Sequence, residues 1–145
     1  MTTAYARQTY PGASLASVRV EETMHRGVVG CRPDASLFAV ARLMAAHRIH
    51  AVVVADGSAE SQWGIVSDLD LAGAASAGAL HERTAGEAAT TPAVAVSPDE
   101  SLARAAQLMR EYDTHHLIVL ARGSRRPIGI VSTLDVADVV AELDR

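Results

Sequence analysis

The chain contains one phrase twice, Gly64-Ile65-Val66-Ser67-Asp68-Leu69-Asp70 and Gly129-Ile130-Val131-Ser132-Thr133-Leu134-Asp135, at positions 65 residues apart. With that spacing held, residues 20–72 align with residues 85–137 without a gap, and 18 of the 53 aligned pairs are identical. So many identities at one register indicate an internal duplication, which is to be settled before any other interpretation. The sequence therefore predicts two copies of one structural unit.

Composition limits the classes of protein that this chain can belong to. Hydrophobic residues make up 49% of the 145 residues and aromatic residues only 3%, so the core must be built from small aliphatic side chains. The formal charge of -4 disfavours non-specific nucleic-acid binding, which needs a basic face. No apolar run approaches the length of a membrane span, and no signal peptide is evident. The single cysteine, Cys31, fits a reducing compartment, so a cytoplasmic location is expected.

Hydrophobic periodicity and turn signals predict the same order of elements in each copy: a short helix, a brief strand, an amphipathic helix, a hairpin and a final helix. In the first copy the predicted ranges are 18–24, 28–31, 33–45, 49–55, 63–66 and 67–77. In the second they are 85–89, 94–96, 97–109, 117–121, 128–131 and 132–143. We expect a flexible tail over 1–17, a first unit over 18–80 and a second over 81–145.

The fold class is therefore predicted to be mixed α/β (α+β). Each copy follows a β-α-β-β-α order after its short first helix. Neither copy has enough sheet or apolar area to be stable alone, so the two should pack together through their sheets.

The repeated phrase has two interpretations. Ser67 and Ser132 each lie where a strand turns into a helix, with Asp70 and Asp135 three residues later, which is the spacing of a capping box. Such a pair stabilises a helix by about 1 kcal/mol and needs no ligand. A helix N-terminus with a hydroxyl is equally suited to phosphate, and a carboxylate one turn later suits ribose hydroxyls. The same four residues are therefore candidates for binding a nucleotide.

The doubled phrase, the Pro-Asp-x-Ser-Leu helix starts and the run Ile49-His50-Ala51-Val52-Val53-Val54 resemble a tandem pair of CBS domains, the Bateman module. The resemblance covers about residues 18–140. It implies a pseudo-two-fold pair of repeats with two clefts between them, in which members bind adenosine ligands such as AMP, ADP, ATP, NAD or S-adenosylmethionine. It also implies regulation of a partner, with no catalysis and no required cofactor.

Residues are carried over from the family to two clefts. One cleft would hold phosphate and ribose with Ser132 and Asp135, and its other residues would be Gly27, Val28, Val29, Ile49, His50 and Ala51. The second would use Ser67 and Asp70, together with Pro92, Ala93, Val94, Thr114, His115 and His116. Polyphosphate-binding members tend to offer Arg or Lys near the phosphates, whereas this chain has histidines there. That difference favours a monophosphate or a weakly charged ligand.

Other candidate groups have simpler interpretations. The histidines are either strand-end residues satisfied by backbone or phosphate contacts, in which case affinity would fall as pH rises through about 6.5. No chelating spacing for zinc is present, and Cys31 is expected to be a core residue without a catalytic partner. Trp63 and Tyr112 are expected to be packing residues.

The sequence thus favours a stand-alone regulatory module that binds an adenosine ligand and signals to an unidentified effector protein. A homodimer is expected through the Ala- and Val-rich helices at 18–24, 68–77, 85–89 and 133–143. The alternative is a structural or interaction module with empty clefts, in which the Ser-x-x-Asp pairs serve only as helix caps. An enzyme is disfavoured because no nucleophile–base pair, metal cluster or Gly-rich phosphate loop appears.

Overall fold

A computed structural model describes residues 14–57 and 62–143. In the first half, a 3-10 turn at Val20–Glu22 precedes six regular elements. They are β1 (His25–Arg26), β2 (Gly30–Cys31), α1 (Leu37–His47), β3 (Ala51–Val54), β4 (Gly64–Ser67) and α2 (Asp68–Ser76). The second half contains α3 (Ala85–Ala88), β5 (Ala95–Val96), α4 (Leu102–Glu111), β6 (His116–Leu120), β7 (Pro127–Ser132) and α5 (Thr133–Leu143).

The strands form two small sheets. One sheet has the order β2-β3-β4, with β2 parallel and β4 antiparallel to β3. The other has the order β1-β7-β6-β5, with β5 parallel to β6 and the remaining pairs antiparallel. Strand β1 belongs to the first repeat by sequence, yet it lies at the edge of the second repeat's sheet.

This crossing is reciprocal. His25 of the first half pairs with Ile130 of the second. The residue equivalent to His25 in the second half, Thr90, forms a bridge with Ile65 of the first half. Arg19 bridges Ser101, and the equivalent pair Thr84 and Ser36 forms the same bridge. Each half therefore contributes the segment that precedes its β-α-β-β-α elements to the sheet and helix of the other half. These entry segments are residues 18–26 in the first half and 84–91 in the second. Neither half is complete without the other.

The cores follow the same exchange. Val18, Val20 and Met24 pack with the helices and strands of the second half, while Ala85 packs with those of the first. A third cluster joins the two sheets and contains Ala51, Val53, Ile65 and Ile118. Strand β3 is buried on both faces because its alternate side chains enter the first-half core and this junction.

Local sequence determines where the long helices begin and end. Ser36 and Ser101 cap α1 and α4, each hydroxyl accepting a hydrogen bond from the amide three residues later, at 3.1 and 3.0 Å. Helix α1 ends at His47, and the following residue, Arg48, adopts a left-handed conformation with φ 53°. Soon after α4 ends, Asp113 adopts the same conformation, with φ 50°.

The glycine that begins each repeated phrase allows the crossing. A Cβ at Gly129 would lie 2.5 Å from the His25 carbonyl oxygen and 3.0 Å from the Met24 sulfur. A Cβ at Gly64 would meet the Thr91 side chain and would lie 3.3 Å from the Thr90 carbonyl oxygen. Glycine is thus required where the entry segment of the other half passes over the strand.

The predicted fold class is confirmed, and the predicted order of helices and strands is found in both halves. The pairing of β1 with the second sheet was not predicted, because two exposed residues show no periodicity. Leu15, inside the segment expected to be a tail, packs against the second-half core, while the expectation for residues 1–13 lies outside the described residues. Within residues 14–57 and 62–143, no helix is long and apolar enough to cross a membrane.

Gly129→Ala should lower the free energy of unfolding by about 2 kcal/mol, since the new methyl group would overlap the backbone of the crossing segment. Gly64→Ala should cost less, because the closest atom belongs to a side chain that can rotate. Gly73→Ala is the matched control: nothing lies within 4 Å of it, and its position in α2 predicts a small gain. Urea denaturation measures all three, and equal losses at Gly129 and Gly73 would contradict this role.

Candidate functional site

Ser67 and Asp70 form a capping box at the start of α2. The Ser67 amide and hydroxyl both donate to Asp70 Oδ2, at 2.8 and 3.0 Å, and the Asp70 amide donates to the Ser67 hydroxyl at 3.4 Å. Both bonds to the carboxylate go to one oxygen. The second oxygen, Oδ1, has no hydrogen-bond partner among the described residues, so it can accept a hydrogen bond from a ligand.

Ser132 and Asp135 repeat this arrangement at the start of α5. The Ser132 amide and hydroxyl donate to Asp135 Oδ2 at 2.8 and 3.2 Å. Asp135 is the more enclosed carboxylate, with 5% of its surface exposed. Burial raises the pKa of Asp135 above its ordinary value, against the opposing effects of the Ser132 amide, the nearby His25 and the Ser132 hydroxyl.

The Ser67–Asp70 box opens into a cleft of about 670 Å³ between the two halves, which we call the open cleft. Ligand pockets for drug-sized molecules span roughly 300–1,000 Å³, so the cleft can hold a nucleoside. One wall comes from the first half and the other from the second. The lining residues are Ile65, Ser67, Leu69, Asp70, Thr90, Pro92, Ala93, Val94, Ala95, Leu108, Tyr112, Asp113, Thr114, His115 and His116.

All eight residues assigned to this cleft from the sequence line it. They are Ser67, Asp70, Pro92, Ala93, Val94, Thr114, His115 and His116. The prediction for Tyr112 was wrong: its side chain is 60% exposed and lies at the cleft instead of packing in the core. Asp113 was not identified from the sequence. Its position just before Thr114 was the available signal, because the turn after α4 delivers the whole segment to the cleft.

The residues predicted for the second cleft lie on several elements of both halves. Gly27 lies beside β7, with its amide donating to the Ile128 carbonyl at 2.8 Å, and Val28 is 36% exposed. Val29 lies next to Val53, whose amide donates a hydrogen bond to the Val29 carbonyl oxygen at 2.9 Å. A groove of about 290 Å³ between α4 and α5 includes Thr133, but its lining contains neither Ser132 nor Asp135.

Histidines lie close to the open cleft. His50 Nδ1 is 3.1 Å from Asp68 Oδ2, and both side chains are exposed. Burial lowers the pKa of His116 below its ordinary value; nearby Asp68 and Asp70 oppose this, and His115 and His50 add to it. His116 is therefore largely neutral at pH 7. Within the described part of the chain, no group of three or more His, Cys, Asp or Glu side chains could hold a metal ion.

Cys31 and Trp63 are both only partly buried. Cys31 is half-buried, and burial, with a smaller effect of Asp34, raises the pKa of its thiol, which disfavours a reactive thiolate. The half-buried Trp63 packs against the junction between the sheets, as expected, and its indole N–H also donates to the Arg125 carbonyl at 3.1 Å. This bond connects the first half to the turn between β6 and β7, which contains Arg122, Arg125 and Arg126.

The free energy of unfolding of the Asp135→Asn variant should increase relative to that of the native chain as pH rises. The folded-state pKa of Asp135 lies above its unfolded value near 3.8, so ionisation costs folding free energy once pH passes that value. The cost is complete above the raised folded pKa and absent well below 3.8. Urea denaturation of both chains from pH 3 to 7 measures the difference, with Asp34→Asn as a control for losing one exposed carboxylate. A difference that stays constant with pH would contradict the burial argument.

The family model for the CBS domain matches the chain twice, at residues 20–77 and 85–142. No curated protein sequence matches significantly. Among solved structures, the hexameric CBS-CP12 protein from bloom-forming cyanobacteria has a TM-score of 0.77 and 22% identity, covering 83% of this chain and 69% of that one.

Two further solved structures contain ligands. The CBS domain pair of protein MJ0100, in complex with 5′-methylthioadenosine and S-adenosyl-L-methionine, has a TM-score of 0.74 and 21% identity, covering 86% of this chain and 96% of that one. The CBS domain of the bacterial CNNM/CorC family Mg²⁺ transporter, in complex with ATP, has a TM-score of 0.72 and 22% identity, covering 89% and 91%. At these identities the likeness is one of fold. The two family matches span most of the residues, and on that ground the chain belongs to the CBS domain family.

Proposed function

We propose that this chain is a regulatory module that binds an adenosine compound in the Ser67–Asp70 cleft and signals its presence to a partner protein. The observation that carries the proposal is the cleft itself. It has the volume of a nucleoside site, it contains the Ser-x-x-Asp pair, and its walls come from different halves of the chain. A ligand there would touch both halves at once.

The chemistry of the cleft suits a nucleoside. Asp70 Oδ1 is available to accept hydrogen bonds from ribose hydroxyls while Oδ2 remains in the capping box. Pro92, Ala93 and Val94 supply an apolar wall against which a purine ring can pack. Ser67 lines the same cleft, and the amides of Asp68, Leu69 and Asp70 are already paired with the His50 carbonyl, the Asp68 carboxylate and the Ser67 hydroxyl, so the 5′ side of the ligand would meet side chains and not unpaired helix amides.

Signalling follows from differential affinity. A ligand held by Ser67 and Asp70 on one side and by Thr114 and His116 on the other favours the arrangement in which these walls are close. It can shift the equilibrium between arrangements only by the difference in its affinity for them. The second half's entry segment would transmit this change in arrangement between the halves. Thr90 in this segment is hydrogen-bonded to Ile65 of the first half, and the chain continues from it into the cleft wall.

Relatives support this assignment at the level of ligand class. CBS domain structures have been solved with 5′-methylthioadenosine, S-adenosyl-L-methionine and ATP, all of which contain adenosine. CBS domain pairs are generally regulatory, and we assign this chain a regulatory rather than a catalytic role. We also propose that Ser132 and Asp135, with Gly27, Val28, Val29, Ile49, His50 and Ala51, form a second site of the same kind.

A structural role is the second candidate, and one observation favours it. Both Ser-Asp pairs already form hydrogen-bonded boxes without a ligand, so capping alone accounts for their presence. The two roles use different carboxylate oxygens and are compatible. Binding measurements separate a cleft that is used from a cleft that is not.

We propose that the module acts as a homodimer in the cytoplasm. Leu134 and Val140 on α5 are 60% and 48% exposed, which leaves apolar surface on a helix expected to meet a second copy. The relative from cyanobacteria is hexameric, so self-association occurs with this fold. The cytoplasmic location stays a prediction from the single cysteine.

Isothermal titration with adenosine, 5′-methylthioadenosine, AMP and ATP should show micromolar binding of at least one compound to the native chain. Asp70→Ala should weaken it by tenfold or more, since removal of a charged hydrogen-bond acceptor typically costs about 1.5–3 kcal/mol. Asp135→Ala should leave the open cleft's binding in place.

Glu87→Ala is the control for loss of a helix cap. Glu87 completes a capping box with Thr84 at the start of α3, and it does not line the cleft. Normal binding by Glu87→Ala together with lost binding by Asp70→Ala would assign the effect to the ligand site. Flat titrations for all four compounds would contradict the sensor and leave the structural role.

The dimer is tested by multi-angle light scattering. The native chain should show twice its 15.2 kDa mass, and Leu134→Glu should shift the mass towards one chain because a charge would be placed in the contact. Leu134 is exposed, so this variant should keep the fold in circular dichroism. A native mass of one chain would remove the dimer.

A further inference from the structure

The Ser67–Asp70 cleft has an unusual charge for a nucleotide site. Its fifteen lining residues, all within the described part of the chain, include two carboxylates, Asp70 and Asp113, and no arginine or lysine. His116 supplies little positive charge at pH 7, because burial lowers its pKa. A phosphate group in this cleft would therefore meet two carboxylates with no arginine or lysine in the lining to compensate them.

The helix N-terminus does not offset this. The first turn of α2 carries two acidic residues, Asp68 and Asp70, which oppose the binding of an anion at the positive end of the helix. Asp68 is held at 3.1 Å from His50, which directs that imidazole to a carboxylate and not to a ligand. The repeated position of Asp68 in α5 is Thr133, so the acidic residue is specific to this cleft.

The internal repeat provides a reference for Asp113. Its equivalent 65 residues earlier is Arg48, and both residues adopt the left-handed conformation, with φ 50° and 53°. The fold therefore places one side chain at this turn in each half, and the two halves carry opposite charges there. The neighbourhood of Asp135 also includes His25, where the open cleft has Thr90.

Apolar groups complete the same cleft. Leu69 and Tyr112 line it while remaining 69% and 60% exposed, so both present apolar surface to whatever enters. Such surface suits an alkyl or thioether group better than a phosphate, which would lose its hydration there without gaining a partner.

We propose that Asp113 makes the Ser67–Asp70 cleft selective for adenosine compounds whose 5′ substituent is uncharged or cationic, and that phosphate-bearing nucleotides are disfavoured in it. This inference rests on the function proposed above and specifies its ligand class. Asp113 acts on specificity through its charge at the cleft, and Asp70 supplies the binding group common to all adenosine ligands.

Titration of the native chain with 5′-methylthioadenosine and AMP is the direct test, because the two compounds differ chiefly at the 5′ position. Binding is assigned to this cleft only where Asp70→Ala removes it. The native chain should bind 5′-methylthioadenosine at least tenfold more tightly than AMP. Asp113→Arg, which places the residue type of position 48 at a position with the same left-handed φ, should strengthen AMP binding about tenfold.

Two controls sharpen the result. Asp34→Arg makes the same change in net charge at a side chain that is 83% exposed and lies outside the cleft, and it should leave the preference unchanged. The AMP affinity gained by Asp113→Arg should fall as salt is raised, whereas 5′-methylthioadenosine binding should not.

The outcomes are distinct. Asp70-dependent binding of AMP or ATP as tight as that of 5′-methylthioadenosine would overturn the selectivity while the sensor function stands. An unchanged preference in Asp113→Arg would also overturn it. Absence of binding by adenosine, 5′-methylthioadenosine, AMP and ATP alike would instead overturn the proposed function on which the inference rests.

Discussion

The crossing of each entry segment over a glycine of the opposite half is the constraint on which the rest of the structure depends. At Gly129 the carbonyl oxygen of His25 occupies the space of a side chain, and at Gly64 the segment 89–91 does the same. These contacts, and the β-bridges that accompany them, hold the two halves together as one folded unit. They also set the position of residues 92–95, which form one wall of the open cleft.

Under the proposed function, one pair of residues in each capping box serves both helix stability and ligand binding. In each box the serine amide and hydroxyl use a single carboxylate oxygen. The helix start is thus fixed before any ligand arrives, and the free oxygen of Asp70 is held in place at the edge of the cleft. Preorganisation of this kind reduces the entropy that binding must offset. At Asp135 the same box is buried more deeply, and this burial raises the pKa of Asp135 above its ordinary value.

Much of the fold and much of the lining of one cleft could be predicted from the sequence, because the duplication makes each half a check on the other. Periodicity identified the helices and the long strands, and the doubled phrase identified Ser67 and Asp70. The exchange of entry segments could not be predicted, since it depends on two-residue strands such as β1 that have no pattern. Tyr112 was misassigned for a related reason: an aromatic residue at a helix end is equally consistent with a core and with a cleft, and only the turn at Asp113 decides.

The central claim is that the cleft between the halves binds adenosine compounds through Asp70. Amide chemical shifts of the isotopically labelled native chain, followed by NMR as adenosine is added, test it most directly. Saturable shifts are expected at residues 67–70, 92–95 and 112–116, with the outer faces of α1 and α4 unaffected. Saturable shifts confined to another surface, or none at millimolar adenosine, would contradict it.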